Sequence, residues 1–267
     1  MTTSLRCVSA LLGAVCLSAS AGRLDELKAL YSPATFEGAD GGKLLYRLMK
    51  PKDIEAGKAY PLVVFLHGSG GRGNDNFGQI RDQPKALEIL ASDAMRAKHP
   101  CFVMVPQCPV GKQWVNVPWS KGSYSQKEVG VSADLERVIE LVEKLQKELP
   151  VDRTRCYAAG LSMGGYGTWD IILRRPELFA AAAPCCGAGE PSGADRIKHV
   201  GVWAFHGDKD GVVPVRGSRE MVAALKKAGA EPRYNEFPGV GHFSWNQAFT
   251  TKGLWDWMFA HRRGVKK

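Results

Sequence analysis

Short unbroken apolar runs alternate along the chain with stretches whose apolar residues recur every three or four positions. Leu62-Val63-Val64-Phe65-Leu66 is one such run, of the kind a strand buried on both sheet faces requires. The runs predict strands at Leu44–Met49, Pro61–His67, Cys101–Pro106, Arg155–Ala159, Phe179–Pro184 and Val200–Phe205, and a further strand is expected at Pro232–Phe237. Between them, Leu135, Val138, Ile139, Val142, Leu145 and Leu149 repeat at helical spacing with Glu and Lys interspersed, so Ser132–Leu149 is the clearest helix. Further helices are expected around Lys85–Lys98, from the residues after Ser162 to about Arg175, over Arg216–Ala228 and over Trp245–His261. Strands alternating with helices imply one α/β domain, a mostly parallel sheet with helices on both faces.

The length of 267 residues suits a single large domain. A 45% hydrophobic and 24% charged composition excludes a mainly disordered chain. The balance is basic, 36 Lys+Arg against 27 Asp+Glu for a net +9. The positive residues are scattered and no nucleic-acid-binding module accompanies them, so they read as a solvated basic surface and no nucleic-acid partner is expected.

Residues 1–21 read as an export signal. Arg6 precedes the apolar run Val8–Leu17, and Ala19-Ser20-Ala21 is a small-x-small cleavage pattern. The run is shorter than the roughly 20 residues a membrane-spanning helix takes. A secreted or periplasmic protein with its catalytic domain over 22–267 is therefore expected. Cleavage would remove Cys7 and Cys16 and leave Cys101, Cys108, Cys156, Cys185 and Cys186. An odd count leaves at least one thiol free. Cys101 and Cys156 lie in apolar runs and read as packed hydrophobes, whereas Cys108 could bridge to Cys185 or Cys186. No Cys-x-x-Cys or His pair suggests a metal.

The chemistry concentrates at three places. Gly160-Leu161-Ser162-Met163-Gly164 fits G-x-S-x-G between a predicted strand and a predicted helix, the setting that exposes a nucleophilic serine on a sharp turn. A serine hydroxyl needs a base and a group to orient that base. His242, in Gly239-Val240-Gly241-His242-Phe243, supplies the base, and Asp208 and Asp210, on a loop after a buried strand, are both candidate acids. His67 and His206, each in a His-Gly pair at a strand end, read as structural. The long loop Gln107–Glu128 carries Trp114, Trp119 and Tyr124; long loops at this edge of such sheets tend to build substrate clefts. Cys186 and Gly187, just after a strand end, are placed in the same pocket. Trp245, Trp255 and Trp257 have spacings that suit a packed terminal helix.

Over roughly residues 43–260 the chain resembles α/β-hydrolase esterases of the dienelactone hydrolase, feruloyl/acetylxylan esterase and polyhydroxybutyrate depolymerase group. The resemblance rests on His67-Gly68-Ser69-Gly70-Gly71-Arg72-Gly73, Pro106-Gln107-Cys108-Pro109 with Trp114, Gly160 to Gly167 around Ser162, His206-Gly207-x-x-Asp210-x-x-Val213-Pro214, and Gly241-His242. It implies a Ser162–Asp210–His242 triad, with the second Asp of the His-Gly loop as the acid. It puts the oxyanion donors at the backbone N–H of Met163 and of Ser69, Gly70 being the neighbouring alternative, and makes Trp114 a substrate wall. Dienelactone hydrolase itself uses a cysteine nucleophile; serine stands here, which favours ester cleavage over lactone opening.

The expected activity is thus a secreted serine carboxylic-ester hydrolase acting through an acyl-enzyme on feruloyl, acetyl or other short acyl esters, free or polysaccharide-linked, with no cofactor or metal. Two rivals are a serine peptidase of the prolyl-oligopeptidase kind and a non-catalytic binding protein on a hydrolase scaffold. The first usually carries a large propeller ahead of the hydrolase domain, and only about 40 residues precede the first predicted strand here. The second is disfavoured by the presence of all three triad candidates.

Overall fold

A computed structural model describes residues 22–81 and 84–264; the expected export signal lies outside them. Among the described residues, eight strands form one sheet. In chain order the elements are α1 (22–30), β1 (Ser32–Glu37), β2 (Lys43–Met49), β3 (Tyr60–Leu66), α2 (Gly78–Arg81), α3 (Pro84–Ala91), α4 (Asp93–Lys98), β4 (Phe102–Gln107), α5 (Ala133–Glu148), β5 (Val151–Leu161) and α6 (Met163–Arg174). They continue with β6 (Ala181–Cys185), β7 (Gly201–Gly207), α7 (Arg216–Lys227), β8 (Arg233–Phe237), α8 (Trp245–Phe249) and α9 (Leu254–Phe259). The sheet order is β1-β2-β4-β3-β5-β6-β7-β8. β1 and β2, and β2 and β4, run antiparallel, and every later pair is parallel.

All seven residues of β3 are buried, as its unbroken apolar run requires. One core packs α5, α6 and α7 on one face of the sheet, and a second packs α1, α3, α8 and α9 on the other. α5 begins where the Ser132 Oγ accepts the Leu135 N–H at 3.2 Å, with Asp134 and Glu136 in the first turn to complement the helix dipole.

Two predicted elements divide. The stretch Lys85–Lys98 is two helices, α3 and α4, interrupted where Ser92 caps the second. The terminal helix is likewise two short ones, since Gly253 sits at φ 82° in the left-handed region that ends one turn and starts the next. The Trp of that segment therefore divide: Trp255 is buried, while Trp245 and Trp257 are half-buried. α1 and β1, which no apolar run predicts, are added at the antiparallel edge.

Candidate active site

β5 runs into α6 through Ser162, whose φ of 53° and ψ of −118° are strained for a residue with a side chain. The turn is held by its neighbours: the Ser162 N–H donates to the Cys185 carbonyl at 3.0 Å, and the Ser162 carbonyl accepts the Tyr166 N–H at 3.0 Å. So close an approach leaves no room for a Cβ at Gly164, which would lie 1.9 Å from the Leu66 carbonyl oxygen. Sterics, not preference, make this position glycine.

Ser162 Oγ lies 2.8 Å from His242 Nε2, and His242 Nδ1 lies 2.7 Å from Asp210 Oδ2. The structure thus brings together three side chains from three separate loops at the carboxyl edge of the sheet. Asp210 is fastened from below: its Oδ1 accepts the Val212 and Val213 N–H groups at 2.8 and 2.9 Å. Burial alone would raise its pKa, but hydrogen bonds from His206, His242 and those two N–H groups outweigh burial and hold the carboxyl well below the ordinary range. Asp208 has a different place, its Oδ1 accepting the Gly239 N–H at 2.7 Å and bracing the loop that carries His242.

His206 is fully buried, with Nε2 3.1 Å from the Val213 carbonyl and 3.2 Å from Asp210 Oδ2. It is more than a turn anchor, because it touches the carboxylate that orients His242. Its four-residue spacing from Asp210 was the available signal. His67 is fixed as a single tautomer. Nδ1 faces the Gly68 carbonyl at 2.5 Å and so carries the proton, whereas Nε2 accepts the Cys108 N–H at 2.9 Å. Burial lowers its pKa to about 4, so near neutral pH it is an uncharged link between the ends of β3 and β4.

Met163 is the first residue of α6 and its N–H has no acceptor within the helix. Ser69 opens a single 3₁₀ turn, Ser69–Gly71, directly after β3, and its N–H is likewise free of the turn's own bonds. Arg72 closes that turn by donating from Nε to the Ser69 carbonyl at 3.0 Å. Its guanidinium stands 5.8 Å from the ring centre of half-buried Trp119.

Two predicted substrate contacts are corrected. Trp114 is 0% exposed: its Nε1 donates to the His67 carbonyl at 3.1 Å, and its side chain packs against Gly167 of α6. It is a strut under the site, and Trp119 is the aromatic of that loop that borders the Ser69 turn. Cys186 is fully buried as well, held at φ 40° with its N–H on the Phe205 carbonyl at 2.8 Å. Its Sγ, the Asp210 carboxylate and a His242 nitrogen fall within 4.8 Å of one another, so Cys186 lies beneath the triad rather than along a pocket. The His242 nitrogens and the Asp210 oxygens in this group are already engaged in the hydrogen bonds above. Burial raises the Cys186 thiol well above its usual pKa and keeps it protonated. Cys101, Cys108, Cys156, Cys185 and Cys186 are all free and buried, so the Cys108 bridge is not formed.

Comparison with known proteins places this geometry among its relatives. The chain is 25% identical over 207 residues to a probable feruloyl esterase C of Aspergillus niger, covering 76% of this chain and 68% of that protein. It is 24% identical to a probable carboxylesterase of Oryza sativa subsp. japonica, over 71% of this chain and 84% of the rice protein. Among solved structures, a thermostable esterase superposes with a TM-score of 0.81 at 37% identity, over 89% of this chain and 64% of that one. The chain therefore spans about two thirds of the length of the fungal relative and of the thermostable esterase. No helix among the described residues is long and apolar enough to cross a membrane. The Phospholipase/Carboxylesterase family matches residues 53–251, most of the domain and all three side chains of the Ser–His–Asp arrangement, and the chain belongs to that family.

Proposed function

We propose that the protein is an exported serine carboxylic-ester hydrolase that works through an acyl-enzyme. What carries the reading is the continuous line of hydrogen bonds from Ser162 Oγ to His242 at 2.8 Å and on to Asp210 at 2.7 Å, set on a strained strand-to-helix turn. In this reading Ser162 Oγ attacks the ester carbonyl while His242 Nε2 takes its proton. Negative charge then develops on the carbonyl oxygen, where the Met163 and Ser69 N–H groups stabilise it; losing one such donor costs about 3 kcal/mol of transition-state stabilisation. His242 returns the proton to the departing alkoxide. Water, deprotonated by the same nitrogen, clears the acyl group. Asp210 stays ionised throughout, holding the ring and stabilising its cation.

The acyl groups proposed are feruloyl, acetyl and other short acyls, free or linked to polysaccharide. An aromatic acyl finds support in the Arg72–Trp119 pair beside the Ser69 turn, and in the fungal relative described as a probable feruloyl esterase. Export is proposed from the pattern of residues 1–21; mass spectrometry of the mature protein should find a chain beginning at Gly22.

The test is hydrolysis of p-nitrophenyl acetate, butyrate and octanoate, methyl ferulate and a proline p-nitroanilide peptide, with Ser162→Ala alongside. Ester turnover that vanishes in the variant supports the reading. Amide cleavage outpacing ester cleavage would assign a peptidase instead, and full activity in Ser162→Ala would remove the nucleophile.

A further inference from the structure

His242 is followed by a side chain that the triad does not use. The Ser244 N–H donates to the His242 carbonyl at 2.8 Å, a three-residue turn centred on Phe243. Ser244 itself is fully buried, its Oγ 3.6 Å from Cys185 Sγ. With the turn pinned inward at Ser244, Phe243 is directed outward and is 76% exposed. It is not an isolated apolar residue on the surface. Its ring lies 4.9 Å from that of Trp245, which stands edge-on to the His242 imidazole at 5.5 Å. Val212, on the loop that carries Asp210, is also exposed. Two of the large hydrophobic residues left open to solvent thus sit on the two loops that supply the base and the acid.

We propose that Phe243, backed by Trp245, is a specificity residue for the alcohol half of the ester, and that the group it receives is a sugar ring. The inference rests on the esterase reading above. The chemistry sets the side: His242 Nε2 must pass its proton to the leaving oxygen, so that oxygen comes within hydrogen-bond reach of Nε2 and the alcohol extends over the histidine loop. The Ser69 turn, which carries an oxyanion donor in that reading, has the other aromatic, Trp119, beside it. The form of the platform selects the alcohol. An open aromatic face covers one side of a ring and leaves the other wet, which suits a sugar with an apolar C–H face and hydroxyls at its rim. A flexible alkyl alcohol gains its binding by being enclosed, which a face 76% open to solvent does not do.

The experiment holds the acyl group constant and small, so that any acyl pocket accepts it: ethyl acetate against an acetylated xylo-oligosaccharide, for the wild type, Phe243→Ala and Phe243→Tyr. The expected result is that Phe243→Ala lowers the ratio of kcat/KM for the sugar ester to kcat/KM for ethyl acetate by about fivefold, mainly through KM, and that Phe243→Tyr restores it. An unchanged ratio overturns the proposal, whether both rates fall together or neither moves. Wild-type cleavage of ethyl acetate without cleavage of the sugar ester also overturns it and leaves the esterase reading standing. Cleavage of neither substrate overturns both.

Discussion

Residues 108–132 pack against α6, the helix that Ser162 opens, and residues 238–244 carry His242; the two segments are built in opposite ways. The first segment is long, yet it is tied to α6 from within. Buried Asp170 of α6 accepts the Tyr124 hydroxyl and the Gln126 amide at 2.7 Å each on Oδ1, and Arg174 Nε at 2.6 Å on Oδ2. Arg174 also donates to the Val129 carbonyl at 2.7 Å, and the Tyr166 hydroxyl to that of Trp119 at 2.8 Å. The second segment is short, braced through Asp208 and Ser244, and turns an aromatic ring into water. A long loop is thus made rigid by buried polar partners, while a short one needs only its turn geometry and is free to spend a side chain on the surface. In the proposed reaction the rigid side suits the oxyanion donors, whose placement tolerates little error. The open side suits a leaving group of variable size.

The largest expected effect lies where the two sides meet. Asp210→Asn keeps the shape of the side chain but removes the charge that orients His242, and kcat for p-nitrophenyl acetate should fall about 10⁴-fold with the circular dichroism spectrum unchanged. Asp208→Asn, two residues away, should cost no more than about tenfold, because Asp208 acts only through the Gly239 N–H. Equal losses in the two variants would mean that the acid is wrongly assigned.

The next effect separates the two segments. Asp170→Ala leaves Arg174 half-buried without its carboxylate and the Tyr124 hydroxyl without an acceptor. Removing one partner of such a pair costs about 3–5 kcal/mol, to be read from urea denaturation. A loss below about 1 kcal/mol would show that the loop is held by apolar packing instead. Trp114→Ala should cost about as much, since it empties a large buried volume between His67 and α6.

His67 supplies a pH-dependent effect of similar or smaller size. Its folded pKa of about 4 lies below its ordinary 6.5, so the unfolded chain takes up the proton first. The stability contributed by neutral His67 is therefore present in full above about 6.5 and is lost as the pH falls toward about 4, roughly 3 kcal/mol across the window. Urea titrations at intervals over that range should show a steeper decline for the wild type than for His67→Gln. Parallel slopes would show that folding does not lower the His67 pKa.

Much of this was legible in the sequence because the relevant signals are local. A strand buried on both faces must be an apolar run, and a sharp strand-to-helix turn must carry glycines, so β3 to β7, α5 and the Ser162 turn follow from neighbours in the chain. The choice between Asp208 and Asp210 did not follow from the residues alone; both lie on the same loop, and only the family resemblance separated them. β1 escapes the sequence for a physical reason: Ser-Pro-Ala-Thr-Phe-Glu is an edge strand with no fully buried residue, so it lacks the apolar run that marks the central strands. The break between α8 and α9 had its signal in Gly253, passed over in favour of the tryptophan spacing. Trp114 is misplaced because the resemblance, through its position after Pro106-Gln107-Cys108-Pro109, makes it a substrate wall. Its burial depends on the His67 carbonyl, which is 47 residues away in the chain.

That last contrast gives the smallest effect and the cleanest separation of the two sides. Trp114 and Phe243 are both aromatic and both follow a motif in the sequence, yet one is 0% and the other 76% exposed. Phe243→Ala should change the unfolding free energy by no more than about 0.5 kcal/mol, within the range of surface substitutions. The turn around it is made by backbone atoms of His242 and Ser244, which the substitution leaves in place. A loss above about 2 kcal/mol would mean that the ring is packed rather than presented. In that event a fall in sugar-ester turnover would report a disturbed His242, because the same loop carries both. A stable variant with altered selectivity separates presentation of the ring from support of the base.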